Sequence, residues 1–277
     1  MEIRRFLNSY TSWIILINVV IFIISLAGIY FLGEEKFFSL FALQPASILA
    51  GKKLWTLLTS MFIHGGFAHL FFNMFSLFFI GSFIERLVGK KRYIIFYLLA
   101  GIFAGVFFAI VSILFGNSVM GAKIFGNPLI YGVGASGAIF GLLGLLAVLT
   151  PKNRVYLIAG PLVAIIIQSI IDAIGNVPFA GVISFILSAY VIFSIFAVFS
   201  FNPKIRKFSL ALEMPFWILP IIAIVPLVVI GFFVNLPIGN MAHLGGLIAG
   251  ILYGLYLRHR YPKKTSMISK FFSKNHG

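Results

Sequence analysis

The sequence predicts an all-α polytopic membrane protein of about eight spans, a single multi-pass domain over residues 1–277. Three observations predict it. Hydrophobic residues make up 61% of the chain and charged residues only 10%, against roughly a quarter charged in soluble domains. The apolar residues gather into runs of about twenty, the length that crosses the hydrocarbon core as a helix. The Lys and Arg residues fall in the connections between those runs. A net charge of +15 therefore reads as membrane topology and calls for no nucleic-acid partner. The absence of cysteine excludes disulfides, thiolate catalysis and cysteine metal ligation.

In chain order, Arg4 and Arg5 precede the first span, residues 13–32. That run is long for a signal-peptide core, and no clear small-residue cleavage site follows it. Residues 33–61 form a long loop whose Phe37, Phe38, Phe41 and Leu43 predict an amphipathic part lying in the membrane interface. The second span, 61–83, holds His64, His69 and Asn73. A charged connection from Glu85 to Arg92 leads into the third span, 93–115, and Glu85 is expected to serve structural pairing. Residues 116–133 are a loop with Asn127-Pro128 as its turn signal. The fourth span opens on Gly132-Val133-Gly134-Ala135-Ser136-Gly137 and stops at Thr150-Pro151. Beyond the basic turn at Lys152 and Arg154 come a fifth span, 155–174, and a sixth, 179–201, joined by the turn 175–178. A basic stretch, 202–213, precedes the seventh span, 215–234, which Pro220 and Pro226 should kink. The turn 235–240 leads to the eighth span, 241–257, and a basic tail, 258–277, closes the chain.

Charge fixes an orientation for these spans. With both termini in the cytoplasm, only Lys36, Lys52, Lys53 and Lys123 of the 21 Lys and Arg fall outside, the asymmetry expected of an inside-positive protein. The reading is a cell-membrane protein with cytoplasmic N- and C-termini. On that topology His69, Asn73, Ser136 and His243 all lie in the outer leaflet, so a site built from them opens to the outer face.

Those four residues carry the chemistry. Ser136 is a hydroxyl among small residues at the start of an apolar helix, where an unpartnered polar group is costly. His243 heads a ladder of glycines, Gly246, Gly250 and Gly254, which share one helix face and admit a partner backbone. If that partner is the Ser136 helix, the imidazole reaches the hydroxyl and can serve as its base. His69 and Asn73 stand one turn apart on a common face, where they can donate to a developing oxyanion. His64 should point elsewhere, about 140° round at ~100° per residue. Each residue also has a plainer reading: a small-residue packing face for the serine stretch, and interhelical hydrogen bonding for His69 and Asn73. A metal site from the histidines lacks an HExxH pattern, and no metal or other cofactor is expected.

Taken together, His64-x4-His69-x3-Asn73, Gly81-x3-Glu85-x3-Gly89, Gly134-Ala135-Ser136-Gly137 and Ala242-His243-x2-Gly246-x3-Gly250 resemble the rhomboid family of intramembrane serine proteases. With their flanks they cover about half the chain, in family order. The resemblance implies a six-helix core with Ser136 as nucleophile and His243 as base. It also implies an oxyanion hole of His69, Asn73 and the Ser136 N–H, and Phe140 stacked on His243 where relatives often carry tyrosine. Gly134 would leave room for a substrate backbone. The substrates implied are membrane proteins with a transmembrane helix, held in the lipid bilayer.

Two departures stand out. Relatives often carry Trp-Arg in the interfacial loop, where this chain has Trp55-Thr56. Three predicted spans also separate the Ser136 and His243 helices, where the six-helix core has one. Three is odd, so both residues still return to one leaflet. The core is then expected at about residues 13–150 and 214–258, with an extra helix pair within 155–201. A non-catalytic rhomboid-like scaffold is the main alternative, and a transporter the second, although no internal repeat supports the latter.

Overall fold

A computed structural model describes residues 8–175, 177–198, 202–233 and 239–274. Arg4 and Arg5, position 176 of the 175–178 turn and positions 235–238 of the 235–240 turn lie outside the described residues. Helix α1, Tyr10–Leu32, is followed by three short helices, α2 (Glu34–Phe41), α3 (Pro45–Leu49) and α4 (Thr56–Thr59). The second span is composite: α5 (Phe67–Ser76), a π-helical turn (Leu77–Gly81) and α6 (Ser82–Val88). Next come α7 (Lys90–Phe115), α8 (Val119–Phe125) and α9 (Ser136–Leu149). Strand β1 (Arg154–Ile158) precedes α10 (Ala159–Ile174), α11 (Ala180–Val198) and α12 (Pro203–Lys207). Strand β2 (Ala211–Pro215), α13 (Leu219–Phe233), α14 (Asn240–Arg260) and α15 (Pro262–Lys274) complete the order.

The helical membrane class holds, and a helix stands within each predicted span. Among the described residues, Tyr10–Leu32, Phe67–Val88, Lys90–Phe115 and Asn240–Arg260 are long and apolar enough to cross a membrane. Ser136–Leu149 and Ala180–Ser194 are shorter apolar helices. The boundaries need three corrections. Residues 61–66 are irregular, so the second helix starts at Phe67 and not at Met61. Residues 155–158, read as the start of the fifth span, belong to a strand. Pro215 ends the other strand, and the seventh helix begins at Leu219. Pro220 thus falls in the first turn, where its missing N–H removes no helical hydrogen bond.

The two strands form an antiparallel ribbon that pairs Arg154 with Pro215 and Ile158 with Ala211. Val155, Tyr156 and Ile158 are the β-branched and aromatic types that fit a pleated surface. Arg154 reaches Glu213 diagonally across it at 3.5 Å, a half-exposed pair that adds little stability. Helices α10 and α11 pack against each other, α10 also against β2 and α11 against β1. They form a helical hairpin whose two ends are clipped together by the ribbon. Helix α13 instead packs on α8, α9 and α14.

The core is the contact of α9 with α14, backed by α7. Leu142, Leu145, Leu146, Tyr93, Tyr97, Leu77 and Ile84 are fully buried in it. Glu85, buried at its edge, accepts hydrogen bonds from Ser9 Oγ (2.8 Å), Thr11 Oγ1 (2.8 Å) and the backbone N–H groups of Tyr10 (2.8 Å) and Thr11 (3.0 Å). The carboxylate therefore satisfies orphan donors at the positive end of α1. Arg86 is not its partner: the guanidinium donates to the Ser82 carbonyl at 3.0 Å.

Candidate active site

The site begins with glycine. A Cβ placed on Gly246 would collide with the carbonyl oxygen of Gly137, and one on Gly250 with that of Gly141. On the facing helix, a Cβ on Gly144 would stand 2.5 Å from the Leu247 carbonyl oxygen. Helices α9 and α14 thus meet backbone to backbone, with no room for a methyl group. That closeness positions the two residues that head them. His243 lies in the first turn of α14, its N–H bonded to the Gly239 carbonyl at 3.1 Å. Its Nε2 stands 2.8 Å from Ser136 Oγ.

The imidazole is held by packing. Phe140, one turn along α9 from the serine, stacks on it with centroids 4.3 Å apart and planes 6° from parallel. His243 Nδ1 is buried without a hydrogen-bond partner, carboxylate or other, among the described residues. In the base-competent form Nε2 accepts the Ser136 O–H and the ring proton sits on Nδ1. As the first residue of α9, Ser136 has a backbone N–H with no intrahelical acceptor, and it points out of the positive helix end.

Gly134 makes room beside the serine. Its φ of +118° lies in the region that L side chains avoid, and a Cβ there would stand 2.8 Å from His69 Nε2 and 3.7 Å from Ser136 Oγ. The point left empty is thus within reach of the hydroxyl and of the His69 ring together. Asn73 is buried on the same helix as His69, but its Nδ2 donates to the His69 carbonyl at 2.9 Å. One N–H of that amide is thereby committed to its own helix, and its second is free of that bond. His64 departs from expectation. It sits in the irregular 61–66 segment, where helical angles do not apply, and packs edge-on against His69 with centroids 5.1 Å apart.

The loop entering the serine helix is braced by backbone pairings that no sequence motif marks, two of them to Ala46 and Ser60. Leu43 and Gly132 exchange both backbone hydrogen bonds, at 3.0 and 2.7 Å. Gly134 N–H donates to Ser60 O at 2.8 Å, and Ala46 N–H to Pro128 O at 3.0 Å. The 33–61 loop is itself fastened at the C-terminus of α2. Lys53 Nζ, Trp55 Nε1 and Thr59 Oγ1 donate in turn to the carbonyls of Ser39 (2.7 Å), Leu40 (2.9 Å) and Phe41 (2.8 Å). Those are carbonyls that a helix end leaves unpaired, and an ammonium there also suits the helix dipole. Thr56, at the position where relatives often have arginine, is buried and donates to the Lys53 carbonyl at 2.7 Å.

With this geometry in view, the rhomboid domain pattern matches the chain over residues 51–186 and again over 155–260. The chain belongs to the rhomboid family. It is 36% identical to Rhomboid protease GluP of Bacillus subtilis over 114 residues, 41% of this chain and 19% of that protein. It is 38% identical to Putative rhomboid protease YdcA of the same organism over 97 residues, 35% of this chain and 41% of that one. Inactive RHOMBOID-like protein 8 of Arabidopsis thaliana is 31% identical over 101 residues, 36% of this chain and 24% of that protein. The aligned part spans less than half the length of each of these relatives. Rhomboid membership and catalytic activity are therefore separate statements, since one relative is named inactive.

Proposed function

We propose that this rhomboid is an intramembrane serine endopeptidase that cleaves membrane proteins in or near a transmembrane segment. The observation that carries the reading is the 2.8 Å contact of His243 Nε2 with Ser136 Oγ, beneath a stacked Phe140 and beside a space cleared by Gly134. Ser136 Oγ attacks the scissile carbonyl as His243 takes its proton. The oxyanion forms at the N-terminus of α9, toward the Ser136 N–H, with His69 and Asn73 as side-chain donors. His243 then passes the proton to the leaving amine, and the C–N bond breaks to leave an acyl-enzyme on Ser136. Water, deprotonated by His243, releases the acyl group and restores the serine. No metal or other cofactor takes part.

The lipid arrangement is part of the proposal. Both termini are cytoplasmic, the dyad opens outward and the chain makes eight crossings of the cell membrane. Helices α10 and α11 are the pair added to the six-helix core, and α13 takes the place between the Ser136 and His243 helices. The packing of α13 on α9 and α14 supports this. So does the overlap of the two domain matches over 155–186, a stretch counted twice.

The test is labelling with a serine-directed fluorophosphonate, paired with cleavage of a model transmembrane substrate. The chain should label and cleave, and Ser136→Ala and His243→Ala should each lose cleavage while remaining folded in the membrane. Labelling or cleavage that persists in Ser136→Ala sinks the assignment. A folded wild-type chain that neither labels nor cleaves favours the alternative, a rhomboid-like scaffold that binds transmembrane helices without cutting them.

A further inference from the structure

At the far end of the serine helix lies a second polar cavity, of about 320 Å³. Its walls include Leu149 and Pro151 on one side and Arg258, Thr265, Ser266 and Ser269 on the other. From Ser136 to Leu149 the helix rises ~20 Å, so the cavity sits at the membrane face opposite the dyad. It is lined by an apolar edge, a guanidinium and three hydroxyls.

The charge in it is unbalanced. Among the described residues Arg258 forms no ion pair, and the sequence contains no Asp or Glu after Glu213. The neighbouring cation is employed differently: Arg260 lies 5.7 Å from the centre of the Tyr261 ring, and Arg92 of α7 lies 5.1 Å from it. Arg258 and Arg260 are about 200° apart around α14 at ~100° per residue, which leaves Arg258 to the cavity. Thr265 Oγ1 donates back to the Tyr261 carbonyl at 3.1 Å and leaves its oxygen as an acceptor. The hydroxyls of Ser266 and Ser269 make no hydrogen bond among the described residues. Lys263 and Lys264 lie exposed in the first turn of the same short helix.

A guanidinium fork with two free hydroxyl donors is the chemistry that holds a phosphate. An apolar wall on one side and a position at headgroup depth suit a phosphate that carries acyl chains. We propose that this cavity binds the headgroup of an anionic phospholipid in the leaflet opposite the dyad, with Arg258 on the phosphate and Ser266 and Ser269 as its hydroxyl donors.

The experiment uses the full chain in detergent and follows its thermal midpoint during titration with dihexanoyl phosphatidylglycerol, a ligand that should raise it with the logarithm of its concentration once that exceeds Kd. Parallel arms use dihexanoyl phosphatidylcholine and inorganic phosphate. Arg258→Gln should weaken the phosphatidylglycerol response about tenfold, the loss of one charge-assisted fork. The pair Ser266→Ala/Ser269→Ala should weaken it severalfold, while Arg260→Gln stays within about twofold, since its charge serves Tyr261. Phosphatidylcholine and inorganic phosphate should leave the midpoint unmoved. The proposal is overturned by an unchanged response in Arg258→Gln, by equal losses in Arg258→Gln and Arg260→Gln, or by either control ligand matching phosphatidylglycerol. If Arg258→Gln fails to fold, the serine pair decides, because those hydroxyls make no hydrogen bond among the described residues. None of these readouts depends on whether Ser136 is catalytic.

Discussion

The α-carbon of Gly246 lies against the carbonyl oxygen of Gly137, so the histidine and serine helices touch through their main chains. Every ångström between those helices is an ångström between imidazole and hydroxyl. Gly246→Ala and Gly250→Ala should therefore each lower stability by about 1–3 kcal/mol, the usual cost of overpacking. Fluorophosphonate labelling should fall with them, because a widened helix pair breaks the 2.8 Å contact. Thermal unfolding in detergent beside labelling at a permissive temperature checks both halves. Full labelling in a folded Gly246→Ala chain would show that the dyad does not depend on this contact.

His69 and Asn73 should differ in consequence. The ring of His69 faces the space at Gly134, whereas Asn73 already spends one donor on the His69 carbonyl. His69→Ala should lower kcat by about two to three orders of magnitude, the effect of losing an oxyanion donor. Asn73→Ala should lower it by about one to three orders, through its second donor and through the freedom it returns to the His69 turn. Single-turnover cleavage of a model transmembrane substrate separates the two, and an unchanged rate would reduce Asn73 to a helix brace.

Glu85 should matter to the whole fold. It gathers two hydroxyls and two backbone donors from the N-cap and first turn of α1. Glu85→Ala leaves those donors unpaired near the core, at a cost of about 1–3 kcal/mol, and Glu85→Gln should recover part of it. Thermal midpoints of the two variants test this. Equal midpoints for wild type and Glu85→Ala would mean that solvent replaces the carboxylate without loss.

The membrane path is open to labelling, because the chain has no cysteine of its own. Single cysteines in place of Asn176 and Asn235 should react with an impermeant thiol reagent from outside. One replacing Lys204 should react only after permeabilisation. A cytoplasmic Asn176 would retire the eight-crossing path while leaving the dyad standing.

Much of this was legible because lipid enforces simple rules on sequence. Apolar runs of about twenty residues had to be helices, and the glycine spacing after Ser136 and His243 marked which helices could touch. The ribbon was hidden for a physical reason. Residues 155–158 are as apolar as the helix they lead into, and a short apolar run has no period that separates strand from helix. Their partners, Ala211–Pro215, lie beyond three helices, α10 to α12. His64 was misplaced because angular arithmetic presumes a helix that starts only at Phe67. The partners of Glu85 could not be read at all, since half of them are backbone N–H groups and the sequence carries no mark of where a main chain will pass.

The ribbon also bears on how such a chain can change. Ile158 and Ala211 are cross-strand partners, so everything from Ala159 to Leu210 hangs from one rung of a ladder. A two-residue Asn-Gly turn is the natural closure for strands in that register. Exchanging 159–210 for Asn-Gly would convert the clip into an ordinary hairpin, with the direction of every later helix unaltered. On the proposed eight-crossing path, the helical hairpin would be a cassette that a lineage could gain or shed in a single genetic event, without passing through a chain threaded backwards. A shortened protein that still inserts and still labels at Ser136 would establish it as such, and one that no longer inserts would make it part of the frame.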